Sequence, residues 1–180
     1  MLESRLLELK AKVSSLSMIR MILLKLKACH VGTFQQCDTY YTIPKGRLKL
    51  REIKGAETAE FIYYERQNIT GPKKSDAIIL DIPNVEAFKL FCQRAFQIKS
   101  LIEKRREIYT YKGTQIHLDC VKNLGTFIEF EREITDYTKD RESIDELMQK
   151  LKIYKRDLIK GSYSDLLSLD FVTDVKTKKM

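Results

Sequence analysis

The stretch Thr126-Phe127-Ile128-Glu129-Phe130-Glu131-Arg132-Glu133-Ile134 decides how this chain folds. Side chains along a β-strand point alternately to its two faces. Glu129, Glu131 and Glu133 therefore share one face, while Ile128, Phe130 and Ile134 share the other. Like charges stacked along one strand repel, and a merely solvated face normally mixes signs. An acidic face of this kind calls for cations facing it.

Other segments supply them with the same two-residue period. In Leu7-Glu8-Leu9-Lys10-Ala11-Lys12-Val13 the charged positions Glu8, Lys10 and Lys12 oppose Leu7, Leu9, Ala11 and Val13. Arg47, Lys49 and Arg51 oppose Leu48 and Leu50, and Lys104 shares a face with Arg106. Gln115, His117 and Asp119 oppose Ile116, Leu118 and Cys120. A half-buried sheet with one wet face gives similar alternation, but the same-sign stacks and continuous apolar faces favour a sheet that is charged inside and apolar outside.

The patterning predicts eight strands, over residues 5–13, 33–42, 47–54, 60–67, 76–82, 100–111, 114–121 and 126–134. Helices are expected over 16–28, from Pro83-Asn84 to about 96 with Asn84 as N-cap, over 143–151 and over 163–169. Eight strands suffice to close a barrel and abolish its edges. The expected fold is therefore α+β: a closed eight-stranded antiparallel β-barrel, a tunnel, with helices packed outside. One domain is expected over 1–170, followed by a basic tail over 171–180.

The chain has 180 residues, long enough for one well-cored domain. Its net charge of +8 implies an anionic partner. Four cysteines lack C-x-x-C spacing, which argues against a zinc site and fits small reduced core residues. The longest apolar run, 18–26, is broken by Arg20 and Lys25 and is too short to span a bilayer. A cytoplasmic protein without membrane or nucleic-acid partners is expected, monomeric or homodimeric. Carboxylates on the same face as the strongest basic cluster would repel a nucleic-acid backbone in the absence of metal.

Lys10, Arg47, Lys49, Arg51, Arg66, Lys104 and Arg106 face Glu8, Asp119, Glu129 and Glu131 inside such a barrel. Crowded cations call for a polyanion, and crowded carboxylates for a hard divalent cation such as Mg2+ or Mn2+. A metal-bound triphosphate answers both demands. Arg47 and Lys73 lie in or beside turns, where the surface is an equally natural place for them. Tyr40, Tyr41, Tyr63 and Tyr64 read as packing or wall residues, and His117 as a hydrogen-bonding residue or a chemical one.

In addition, the sequence resembles the CYTH superfamily, the triphosphate tunnel metalloenzymes, in its class IV adenylyl cyclase-like and thiamine triphosphatase-like branch. The resemblance rests on Leu7–Val13, on Gln36-Cys37-Asp38-Thr39-Tyr40-Tyr41 with Gly46–Glu52, and on Tyr63–Gln67 with Gly71-Pro72-Lys73 and Ser75-Asp76. Glu103–Arg106, His117-Leu118-Asp119, Leu124–Glu131 and Ser162–Leu167 continue it in family order. It implies metal-dependent chemistry on triphosphates: hydrolysis of tripolyphosphate or thiamine triphosphate, or cyclisation of ATP. It further implies that Glu8, Asp119, Glu129 and Glu131 hold metal and that Lys10, Arg47, Lys49, Arg51, Arg66, Lys104 and Arg106 bind phosphates. Lys10, Arg51, Lys104, Arg106 and Asp119 would be the catalytic set. Two positions depart from the pattern: Leu6 stands where the signature has a first glutamate, and Gln115 where relatives often carry arginine. The alternatives to a hydrolase are therefore a cyclase and a phosphate-binding module without turnover.

Overall fold

The computed structural model describes residues 2–167. Eight strands form one closed antiparallel barrel: β1 (Leu2–Lys12), β2 (Cys29–Tyr41), β3 (Arg47–Ile53), β4 (Ala59–Arg66), β5 (Lys73–Ile82), β6 (Ile98–Tyr111), β7 (Thr114–Val121) and β8 (Gly125–Glu133). Their order around the barrel is β1-β5-β4-β3-β2-β6-β7-β8, and pairing of β1 with β8 closes the ring. The first strand thus lies between the fifth and the eighth, which brings Glu8 opposite both Lys73 and Glu131.

The alternation read from the sequence holds. Leu7, Leu9 and Ala11 point outward with Ile116, Leu118, Ile128 and Phe130, and all are fully buried. Helices α1 (Leu16–Lys25) and α3 (Tyr137–Lys150) cover them, through Leu16, Ile19 and Leu23 and through Ile144, Leu147 and Met148. Each side chain so buried contributes about 1.5–3 kcal/mol. Helix α2 (Val85–Ala95) covers a second patch around Leu48, Leu50 and Cys92, with Asn84 accepting from the Ala87 amide as its N-cap.

The helix limits differ from expectation for identifiable reasons. The first helix ends three residues early because Lys27 takes a left-handed conformation (φ 58°), and the Ala28 amide turns back to the Leu23 carbonyl. The third starts at Tyr137 rather than 143, with Asp136 accepting from the Thr138 and Lys139 amides. Its first turn shows no apolar signal because its inward residue is Asp140, buried by Arg132 and by the amides of Thr135 and Asp136. In β2, the register shifts between His30 and Gly32, and a Cβ at Gly32 would come within 2.8 Å of the Phe34 ring.

Three strands start three or four residues earlier than expected: Lys73 and Lys74, assigned to a loop from sequence, open β5, β1 begins at Leu2 and β2 at Cys29. Cys29 and Cys120 are exposed rather than core residues; Cys92 alone is fully buried. A 3-10 turn spans Lys155–Asp157, and a helical segment occupies 163–167. The rest of the expected last helix and the basic tail lie outside the described residues. No helix among those described is long and apolar enough to cross a membrane.

Candidate functional site

Inward-facing residues of every strand but β7, with Ser162 and Tyr163, line a cavity of about 670 Å³, open space at its mouth included. One end of the barrel is sealed by an apolar layer absent from the sequence reading. Tyr40, Ile62, Tyr64, Ile102, Val121 and Phe127 point inward there and pack with Leu124 and Tyr163. The segment after α3 holds this seal in place: Lys73 donates to the carbonyls of Ile159 and Lys160, and Ser100 donates to Ser164.

Above the seal, two charged walls face each other. The basic wall is organised around Asp38, which is 1% exposed. Its carboxylate accepts from Lys49 (3.1 Å), Arg51 (2.8 and 3.1 Å) and Lys104 (2.6 Å). Burial opposes ionisation of Asp38, but Arg51, Lys104 and Lys49 outweigh it and hold the carboxyl well below its usual range. The cations are not fully compensated in return. Burial, with Arg51, Arg106 and Lys49 nearby, depresses Lys104 to about 7 despite Asp38, and burial with Arg51 depresses Lys49 to about 8.

The acidic wall comes from β7 and β8. Lys10 donates to Glu129 at 2.7 Å, and Arg106 bridges Glu129 and Asp119, with all these contacts buried. Asp119 is fully buried and also accepts from the Tyr163 hydroxyl at 2.7 Å. Burial raises its carboxyl, but Arg106 prevails and brings it to about 2. Asp119 thus sits behind Arg106 rather than with the other carboxylates. Glu129 and Glu131 converge instead with His117, their ligand atoms all lying within 4.8 Å of one another. Glu8 lies across the β1–β8 pair from Glu131 and accepts from Arg66 at 2.7 Å.

Of the cations expected in the tunnel, Lys10, Lys49, Arg51, Arg66, Lys104 and Arg106 line the cavity, together with Glu8, Glu129 and Glu131. Arg47 does not: it is tied to Asp165 and Asn68 at the sealed end. Asp38, Lys73 and Tyr163 take part without having been singled out as site residues. Asp38 shares its strand face with Gln36 and Tyr40, so period-two alternation applied to β2 would have found it. Tyr163 gives no such signal, because its contacts depend on how the chain returns over the barrel end. Tyr40 and Tyr64 line the cavity, whereas Tyr41 and Tyr63 pack outside with α2.

Six cations against four carboxylates (Glu8, Asp38, Glu129 and Glu131) leave the lining net positive, and Nε and Nη2 of Arg66 are buried without a protein partner. Buried unpaired donors of this kind are costly unless an acceptor meets them. On the other wall, the carboxylate oxygens of Glu129 and Glu131 form an all-oxygen pair suited to a hard divalent ion, with Glu8 beside them. The residues present therefore fit both a polyanion and a divalent metal.

Comparison with known proteins agrees with this arrangement. A protein of Methanocaldococcus jannaschii, provisionally named an adenylate cyclase, is 31% identical over 114 residues, which are 61% of this chain and 65% of that protein. The alignment thus spans slightly under two thirds of that relative's length. Among solved structures, one from Pyrococcus horikoshii superposes with a TM-score of 0.81 at 22% identity, over 89% of this chain and 98% of its own. A Hippeastrum protein, provisionally named an adenylyl cyclase and described as having a dominant triphosphatase activity, superposes with a TM-score of 0.66 at 14% identity, over 90% and 93%. The description of the CYTH domain matches residues 5–163, from the first strand to the tyrosine that seals the barrel. The chain belongs to the CYTH domain family.

Proposed function

We propose that this protein is a divalent-metal-dependent hydrolase of triphosphate-bearing substrates. The observation that carries the reading is the unequal pairing inside the tunnel: buried cations outnumber carboxylates there, and Arg66 keeps two buried N–H donors without an acceptor. Phosphate oxygens would meet Arg66, Lys49, Arg51 and Lys104, with bidentate contacts available to the two guanidinium groups. Glu8, Glu129 and Glu131 would hold one or more Mg2+ or Mn2+ ions, which supply Lewis-acid polarisation of phosphate oxygens when bound.

In hydrolysis, water attacks the terminal phosphorus and the bond to the bridging oxygen breaks. The charge that collects on that oxygen needs fixed cations, which is the largest single contribution a protein makes to phosphoryl transfer. Lys10, Arg51, Lys104 and Arg106 would supply it, and Asp119 would act as a positioning residue that fixes the Arg106 guanidinium plane. The triphosphatase activity attributed to the Hippeastrum protein supports hydrolysis over the alternatives.

ATP cyclisation is the second reading, favoured by an apolar strip inside the cavity. Leu6, Ile62, Ala77 and Ile79 lie on adjacent strands and could seat an organic group beside the phosphates. The deciding test incubates the protein with tripolyphosphate, thiamine triphosphate and ATP, each with Mg2+, Mn2+ or chelator, and identifies every product. Chelator-sensitive orthophosphate release is expected, lowered at least ~100-fold by Glu129→Gln or Arg51→Ala. Cyclic AMP with pyrophosphate would replace the hydrolase by a cyclase, and binding without turnover would leave a phosphate-binding module.

A further inference from the structure

Gln115 and His117 lie on the same face of β7, two residues apart, and both differ in kind from the carboxylates around them. His117 is 2% exposed. Its Nε2–H donates to the Gln115 side-chain oxygen at 3.1 Å. In the neutral tautomer compatible with this bond, Nδ1 keeps its lone pair. That nitrogen has no hydrogen-bond partner and points between Glu131, at 3.6 Å, and Glu129, at 3.8 Å. Nδ1 thus converges with an oxygen of the partly exposed Glu131 and with the buried Glu129 oxygen that already accepts from Arg106. A divalent cation there would meet the unpartnered nitrogen, and the spacing of the three groups matches a ligand set.

We infer that His117 is a nitrogen ligand of the tunnel's divalent metal, held in its ligating tautomer by Gln115, and that this makes the site selective for Mn2+-like ions over Mg2+. The inference rests on the proposal that the tunnel carries a metal, and extends it to the donor set and the choice of ion. Mg2+ demands oxygen ligands and dehydrates reluctantly, whereas Mn2+ and Co2+ accept imidazole beside carboxylates. An outer partner that fixes the histidine proton is the usual companion of such a ligand, and its loss typically lowers metal affinity 10–100-fold. The same logic gives the departure at Gln115 a chemical meaning. An arginine there could only donate, which would favour the lone pair on Nε2 and place the proton on Nδ1.

The test titrates the full chain with Mn2+ and with Mg2+, each alone, by calorimetry, and records electron spin-echo modulation of the bound Mn2+. The expected results are at least ~10-fold tighter Mn2+ than Mg2+ binding and a ¹⁴N modulation from directly bound imidazole. His117→Ala and Gln115→Arg should each abolish the modulation and weaken Mn2+ ~10–100-fold, narrowing the Mn2+/Mg2+ ratio. Gln115 is exposed, so its replacement tests the idea even if His117→Ala fails to fold. Because added positive charge weakens both ions, the ratio is the deciding quantity. Mn2+ binding that Glu129→Gln abolishes, but that shows no ¹⁴N modulation and an unchanged ratio in the variants, would overturn the ligand assignment and leave the carboxylate site standing. Binding indifferent to Glu129→Gln would remove the metal-site reading itself, and this inference with it.

Discussion

Replacing Asp38 by asparagine should test the electrostatic design of the tunnel most directly. Asp38 is the common counter-ion of Lys49, Arg51 and Lys104, and it lies on a strand in the barrel wall with no exposure to solvent worth the name. The amide keeps the shape and one acceptor but removes the charge. Breaking a buried ion pair from one side costs about 3–5 kcal/mol, because the remaining charge is left uncompensated. For a domain of this size, 1 kcal/mol corresponds to about 2–4 °C in Tm, so a fall of about 6–20 °C is expected.

The loss should depend on pH in a definite direction. Lys104 titrates at about 7 and Lys49 at about 8 in the folded chain, below the ordinary lysine value of 10.5. Between those values and 10.5 the unfolded chain binds more protons than the folded one, so these groups make stability rise with pH. Below about 7 their buried charges are fully present, and loss of Asp38 should then be felt most. The fall in Tm for Asp38→Asn should accordingly be larger at pH 6 than at pH 8.5. Added tripolyphosphate should restore stability more in the variant than in the parent, by supplying the missing negative charge. Calorimetric unfolding at the two pH values, with and without tripolyphosphate, measures all of this. A variant within about 2 °C of the parent at both pH values, with equal polyanion stabilisation, would refute the reasoning.

Two further outcomes follow from the same geometry. Tripolyphosphate binding at pH 8 should take up protons, since a polyanion raises the depressed Lys104 and Lys49 towards their ordinary values. Calorimetry in buffers of different ionisation enthalpy would detect this, and Lys104→Met should diminish it. Tyr163→Phe removes the hydroxyl that donates to Asp119, and should cost about 1.5–3 kcal/mol as a hydrogen bond to a charged group, visible as a lower Tm. An unchanged Tm would mean that the seal does not depend on that bond.

Much of the fold was legible because one period governs it. In β1, β3, β6 and β8 the residue types on the two faces differ sharply, so most of their inward set could be read directly. Other features escaped the reading. Asp140 occupies an inward helix position as a charge and hides the first turn of α3. Lys73 follows Gly71-Pro72, a turn signal, yet opens a strand and is buried by the carbonyls of residues from the far end of the chain. Arg47 has the strand parity of Lys49 and Arg51 but is drawn to Asp165 at the sealed end. Tyr163 seals the barrel from a segment thirty residues beyond β8 in the chain. For Lys73, Arg47 and Tyr163 the partner lies outside the local window, so periodicity could assign the face but not the contact.

The pairing in the tunnel also bears on how metal and phosphate would bind. Lys10 and Arg106 spend their donors on Glu129, and Arg66 spends one on Glu8. These are the residues proposed for phosphate, bound to the carboxylates proposed for metal. Each class of group thus serves as stand-in ligand for the other, which lets the barrel fold around charges that would otherwise be too costly to bury. A divalent ion taking up Glu129 and Glu8 would release Lys10, Arg106 and Arg66 towards phosphate, and a phosphate taking those cations would release the carboxylates towards metal. Coupling of that form is reciprocal by thermodynamic necessity. Asp119 and Asp38 stand apart from this exchange. Asp119 is closed off behind Arg106 and Tyr163, while Asp38 remains with Lys49, Arg51 and Lys104. On the proposed reading they would keep the cations aimed at the cavity whichever partner is bound, so that the site could trade ligands without losing its geometry.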